Sequence, residues 1–155
     1  LDYIKKLRSM VGNEKVIMVI AGAFVFDGEN RLLLQQRSDT GEWGLPGGFM
    51  EMDESVQETA KREVLEETGL RIKELKLFGI YSGSNYDKTF PNGDQVSMVQ
   101  ILFTCRDYEG QLIKQNEESL NNKFYNLEGL PKNLFSDHQA FLKDLMSDQQ
   151  LPIFK

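Results

Sequence analysis

At 155 residues, with 40% hydrophobic and 27% charged residues, the chain has the length and composition of one ordinary globular domain, 1–155, and not of a disordered, fibrous or disulfide-stapled protein. Its formal charge of −6 offers no general attraction to nucleic acid backbones or anionic membranes, and no basic run offsets it. No stretch reaches the roughly 20 apolar residues of a membrane span, and the single Cys105, in an apolar stretch with no histidine nearby, reads as core packing in a reducing, cytoplasmic setting.

Leu1–Val11 contains basic residues and no long apolar core, unlike a signal peptide. Ile4, Leu7 and Val11 recur at helical spacing, which predicts a short amphipathic helix laid on the body or on the second subunit of a homodimer. Val16–Phe26 is nearly all apolar and rich in β-branched residues, as a strand buried on both faces would be. Asp27-Gly28-Glu29-Asn30 then reads as a turn before Arg31–Arg37, giving a buried hairpin. Trp43-Gly44-Leu45-Pro46-Gly47-Gly48 is a loop whose glycines permit close backbone approaches.

Ser55–Thr68 is punctuated as a helix: Ser55 and Glu58 form a capping box, and Gly69 stands just past the end. Leu75–Tyr81 reads as a strand, Ser82–Asp94 as a long polar loop, Gln95–Cys105 as a further strand and Lys123–Leu127 as another. Ser136 and Gln139 suggest a second capping box, opening a C-terminal helix with Phe141, Leu142 and Leu145 facing inward. Strands interleaved with two or three helices predict a mixed sheet with helices on both faces.

On the Ser55–Thr68 helix, Val56, Ala60, Glu63 and Glu67 follow the spacing of a buried stripe, whose last two members are acids. At about 100° per residue, Glu63, Glu66 and Glu67 fall within roughly a 100° arc that overlaps it. Like charges so close repel unless cations neutralise them. Arg62 alone cannot satisfy three carboxylates, whereas a hard divalent ion can. Taken by itself, the helix leaves two readings open: a divalent-ion site, or a solvated, salt-bridged face.

From Gly48 to Leu70 the sequence is GFMEMDESVQETAKREVLEETGL, which resembles the Nudix box, G-x5-E-x7-R-E-U-x-E-E-x-G-U with U a bulky aliphatic residue. Gly48, Glu54, Arg62, Glu63, Val64, Glu66, Glu67, Gly69 and Leu70 occupy every defined position. A chance match at the seven fixed residues is below about one in a million at ordinary frequencies. The flanks resemble the family too, since Leu45-Pro46-Gly47 leads straight into the box.

The resemblance implies an α/β/α sandwich with a mixed β-sheet, a loop-helix-loop catalytic motif, and hydrolysis of a pyrophosphate bond with Mg²⁺, Mn²⁺ being a possible substitute. It makes Glu63 and Glu67 the main metal ligands, Glu66 a ligand or outer partner, and the Gly47 carbonyl a contributor. Arg62 becomes the arginine that orients the glutamates, against the alternative of an ordinary i, i+4 pair with Glu58 or Glu66. Glu54 has three possible uses: serving the cluster, pairing with Arg62, or favouring the helix N-terminus. The base in the family is sometimes a box glutamate and sometimes a downstream loop acid, for which Glu117 and Glu118 are candidates.

Arg37, Tyr81 and Tyr86 are candidate substrate contacts, and Tyr81, Tyr86 or Phe90 could stack on a base or pack the loop. His138, without a companion ligand, reads as a surface residue, which leaves no histidine base for a serine or cysteine nucleophile. The implied substrates are nucleoside triphosphates, nucleotide sugars or ADP-ribose, and dinucleoside polyphosphates. Some ADP-sugar hydrolases of the family carry a proline about sixteen residues after the box, where this chain has Tyr86; some dinucleoside polyphosphate hydrolases carry a tyrosine there. A catalytically silent Nudix domain acting as a nucleotide sensor or scaffold is the alternative, and the intact acids argue against it. An RNA-end substrate would need a basic path that the charge balance disfavours.

Overall fold

The computed structural model describes residues 2–155; Leu1, part of the expected opening helix, lies outside them. Helix α1 (Tyr3–Val11) starts at Asp2, whose side chain accepts the Lys5 N–H. Its Ile4 and Leu7 pack on Met18, Val96 and Met98, so the apolar stripe lies on the chain's own body. In chain order there follow β1 (Val16–Val25), β2 (Leu32–Arg37), β3 (Trp43–Gly44), β4 (Gly47–Phe49), α2 (Val56–Thr68), β5 (Leu70–Ile72), β6 (Lys76–Tyr81), β7 (Asp87–Thr89) and β8 (Gln95–Cys105). The remainder comprises β9 (Tyr108–Gly110), β10 (Ser119–Tyr125), α3 (Gln139–Met146) and β11 (Ile153–Phe154).

The main sheet is mixed, in the order β11-β6-β8-β1-β4 with β7 added on β8. The β1–β8 and β11–β6 pairs run parallel and the others antiparallel. Alternation along β1 divides its side chains between two cores. Ala21, Ala23 and Val25 meet Ala60 and Val64 of α2, whereas Phe24 packs with Phe141 and Leu142 of α3. Both faces are therefore covered, which explains the nearly unbroken apolar run and gives the expected α/β architecture with helices on both sides. Among the described residues, no helix is long and apolar enough to cross a membrane.

Several expectations need correction. β1 and β2 do not form a hairpin: β8 and β4 occupy the two edges of β1, so β2 pairs with β10 and β3 in a separate sheet. A single bridge, Phe26 to Leu32, spans the two strands. The turn between them is as read, with Asp27 Oδ1 accepting the N–H groups of Glu29 and Arg31. The Ser82–Asp94 segment holds a 3₁₀ turn (Ser84–Tyr86) and β7, paired with the start of β8. The second capping box does not form. Ser136–His138 is a 3₁₀ turn, and the Ser136 hydroxyl faces the Asp137 carboxylate instead of a helix N–H.

Candidate active site

Helix α2 is fixed at both ends by its own sequence. Ser55 accepts the Glu58 N–H, and Gly69 takes the left-handed conformation at φ 83°, returning its N–H to Leu65. The buried stripe continues past Ala60 and Val64 into acid. The Glu67 residue is 6% exposed, the Glu63 side chain 13% and the Glu66 side chain 51%. Glu67 Oε1 accepts the Gly47 N–H at 2.8 Å, which joins the helix to the glycine loop. Gly48 leaves room for Glu63: a Cβ there would stand 2.5 Å from the carboxyl carbon. Gly47 and Gly22 meet backbone to backbone, for a Cβ on Gly47 would lie 2.7 Å from the Gly22 Cα.

Arg62 organises one side of the cluster. Its Nε and one terminal nitrogen grip the two oxygens of Glu54 at 2.6 and 3.0 Å, and that same nitrogen donates to the Phe49 carbonyl at 3.0 Å. The other terminal nitrogen reaches Glu63 at 2.7 Å and Glu66 at 3.3 Å. Glu54 accepts further bonds from the Glu51 N–H and the Thr59 hydroxyl. The Arg62 bonds, with help from those two, hold its carboxyl down to about 2. Of the uses open to Glu54, the geometry shows pairing with Arg62.

A third acid comes from a different element. Among the described residues, Glu63, Glu67 and Glu118 each place a carboxylate oxygen within 4.8 Å of the others. Glu66 and Glu117 do not join this group. Burial, above all, raises the Glu63 carboxyl, with Arg62 opposing. It raises Glu67 well above its ordinary value, and the Glu63 and Glu118 charges add to the effect. Among the described residues, neither Glu67 nor Glu118 has an ion-pair partner. Three crowded carboxylates with one cation at the margin form a donor set suited to a hard divalent ion.

The raised Glu67 carboxyl has a consequence for the metal-free protein. A folded-state value above the ordinary 4.5 means that its penalty is absent below that value, grows as pH rises from it toward the folded value, and is fully present above the folded value. Glutamine retains the acceptor for Gly47 without the charge. With chelator at pH 8, Glu67→Gln is expected to melt roughly 3 °C or more above the parent, the gap closing toward pH 4.5. A lower melting temperature at pH 8 would show that the charge holds the fold.

The acids open into a cleft of about 690 Å³. Arg37 lines it, with its guanidinium 4.2 Å from the centre of the Phe135 ring and its fork on Asp39 at 2.9 and 3.0 Å. Lys88, paired with Asp137, lies 4.9 Å from the same ring centre. Phe90 also lines the cleft, whereas Tyr81 and Tyr86 are not among its walls. Tyr81 is fully buried, donates its hydroxyl to Asp144 at 2.9 Å, and packs with Tyr86 and Phe141. Those two tyrosines therefore belong to the α3 core.

His138 is no free surface residue. Its Nδ1 accepts the Leu45 N–H at 3.0 Å, and its ring rests against Phe135 and fills the space beside Gly44. Burial, aided by the Arg37 charge, pushes the imidazole down to about 3. The ring is neutral near pH 7. Lys88, Phe135, Asp137 and His138 were not picked out as cleft residues by sequence patterning, because their place depends on segments distant in the chain.

This cleft, the glycine loop and the acid-bearing helix identify the chain as a Nudix hydrolase: residues 16–145 match the NUDIX domain family. The ADP-ribose pyrophosphatase of Methanocaldococcus jannaschii is 36% identical over 93% of this chain and 85% of its own. The mutator MutT protein of Bacillus halodurans has a similar structure, with 32% identity, a TM-score of 0.66, and coverage of 85% of this chain and 84% of that one. An ADP-ribose pyrophosphatase of Streptococcus suis aligns with a TM-score of 0.61 at 25% identity, over 89% of this chain and 98% of its own.

Proposed function

We propose that the chain, acting as one domain over 1–155 in the cytoplasm, hydrolyses the pyrophosphate bond of a nucleoside diphosphate linked to another moiety, with ADP-ribose the first candidate. The observation that carries the reading is the convergence of Glu63, Glu67 and Glu118, with Arg62 on Glu63 as the one cation paired to the three among the described residues, at the edge of a cleft that also holds Arg37. The ADP-ribose preference rests on the two pyrophosphatase relatives.

Glu63, Glu67 and Glu118 would hold Mg²⁺ or Mn²⁺, with Glu66 and the Gly47 carbonyl as outer contributors. The bound ion supplies neutralisation of phosphate charge and a more acidic water. Arg62, itself anchored on Glu54, keeps Glu63 aimed through its other terminal nitrogen. Glu118, the more exposed acid of the trio, is the group placed to accept a proton from the attacking water. Arg37 and Lys88 offer positive charge to the phosphates, while Phe90 and Phe135 offer flat apolar faces to the remainder. Both cations also pair with an aspartate, Arg37 with Asp39 and Lys88 with Asp137, so a phosphate competes with a carboxylate at each, which favours a multiply charged ligand.

The test is an assay with Mg²⁺ of ADP-ribose, nucleotide sugars, nucleoside triphosphates and dinucleoside polyphosphates. ADP-ribose is expected to yield AMP and ribose 5-phosphate, and turnover to stop with excess chelator. Full activity after verified metal removal would end the metal reading. A parent inert on every compound would favour the silent-domain alternative.

A further inference from the structure

We infer that Asn116 is a positioning residue, whose side-chain amide clasps the loop carrying Glu118 to the end of α2 carrying Glu67. It thereby sets the spacing of carboxylates supplied by two separate elements. The inference rests on the reading of Glu63, Glu67 and Glu118 as the metal-holding set.

Both halves of the amide are used. Asn116 Oδ1 accepts the N–H groups of Glu118 at 2.9 Å and Ser119 at 2.8 Å, forming a tight side-chain turn around the acid. Asn116 Nδ2 donates to the carbonyls of Glu66 at 3.0 Å and Glu67 at 3.3 Å. Those carbonyls belong to the last turn of α2, where helix geometry leaves acceptors without partners. The backbone N–H of Asn116 closes the turn on the Ser119 carbonyl at 2.9 Å.

Its neighbours have a different task. Ser119 and Asn122 also donate to the Glu67 carbonyl, at 3.0 and 2.8 Å, but both are buried and tie β10 into the body. Asn116 is only half-buried, and its side chain holds the Glu118 backbone as well as the helix. Glu118 itself is exposed and makes no ion pair among the described residues, so its carboxylate is positioned chiefly through its backbone. Removing the clasp loosens the loop acid on its N–H side, while the Ser38 N–H bond to the Glu118 carbonyl at 3.0 Å and the buried ties to β10 remain. Groups that hold metal ligands in place contribute about tenfold or more to metal affinity, so a loosened backbone reads out as lost affinity for metal.

The experiment titrates Mn²⁺ calorimetrically into the metal-free chain without substrate. The proteins are the parent, Asn116→Ala, Asn116→Ser, Glu63→Gln, Glu118→Gln and the double variant Asn116→Ala/Glu118→Gln, each checked for folding by thermal melt. Serine retains a short acceptor for the turn but lacks the amide nitrogen that donates to the two helix carbonyls. Asn116→Ala and Asn116→Ser are each expected to weaken Mn²⁺ about tenfold. The double variant should bind no more weakly than Glu118→Gln alone, because Asn116 acts through Glu118. Parental affinity in Asn116→Ser, or losses that add in the double variant, would overturn the clasp. If Glu63→Gln leaves parental Mn²⁺ binding unchanged, the metal-site reading itself fails and the clasp falls with it, a result distinct from failure of the clasp alone.

Discussion

Glu67→Gln is expected to lower the turnover number by at least about a hundredfold while the Michaelis constant stays within severalfold. Glu67 is the most deeply buried of the clustered acids, and its carboxylate faces Glu63 and Glu118. Charge develops at the scissile phosphate in the transition state, so a group holding the activating ion acts mainly there. On the proposed reading, ground-state binding draws instead on Arg37, Phe90, Phe135 and the rest of the cleft wall. Glutamine reproduces the shape and the bond to Gly47, which separates charge from structure. Glu58→Gln, on the exposed part of the same helix, is the control for generic charge loss. Near-parental turnover of Glu67→Gln at saturating Mg²⁺ would remove Glu67 from the catalytic set.

Gly48→Ala should produce a comparable loss without unfolding. The obstacle its Cβ meets is the far end of the Glu63 side chain, 2.5 Å away, and that end can rotate aside. Gly48 has no positive φ, so alanine suits its backbone. The fold therefore survives while the carboxylate is displaced, and a misplacement of about 1 Å at a reacting centre can cost on the order of a hundredfold in rate. Gly47→Ala provides the contrast. Its Cβ would meet backbone atoms of Gly22 and Ala21 at 2.7 and 2.8 Å, which cannot swing away, so it should expose the protein to unfolding. A Gly48→Ala enzyme with parental turnover would show that Glu63 need not stay where the glycine allows it.

Features that rest on neighbouring residues were legible in the sequence. Ser55 and Gly69 delimit α2 because caps are local, although among the described residues the Glu58 side chain does not return the bond of a full capping box, and the run Val16–Phe26 announced a strand covered on both faces. The partner of that strand was not legible. Pairing is decided by competition among distant segments, and β8 and β4 displaced the nearer β2. The same distinction divides the site. Glu63 and Glu67 declare themselves by helical spacing, but choosing Glu118 over Glu117 depends on the turn that Asn116 imposes. An asparagine two residues before an acid was the available signal. His138 looked free because Gly44, whose missing side chain makes room for it, lies far off in the sequence. Tyr81 looked available for stacking because nothing local announced Asp144 as its partner in the core.

The contact of Gly22 with Gly47 makes part of the scaffold indifferent to side chains. It joins β1 to the loop ahead of α2 through main chain alone, so the platform beneath the acids does not depend on a packed residue elsewhere keeping its size. The cleft walls come from other places: Ile4 on α1, Lys88 and Phe90 around the β7–β8 turn, and Phe135 to His138 ahead of α3. Such a division lets the walls mutate while the hydrolytic platform stays put. A lineage built this way can explore new ligands by drift at the rim, and a laboratory library confined to Lys88 and Phe90 would sample the same freedom.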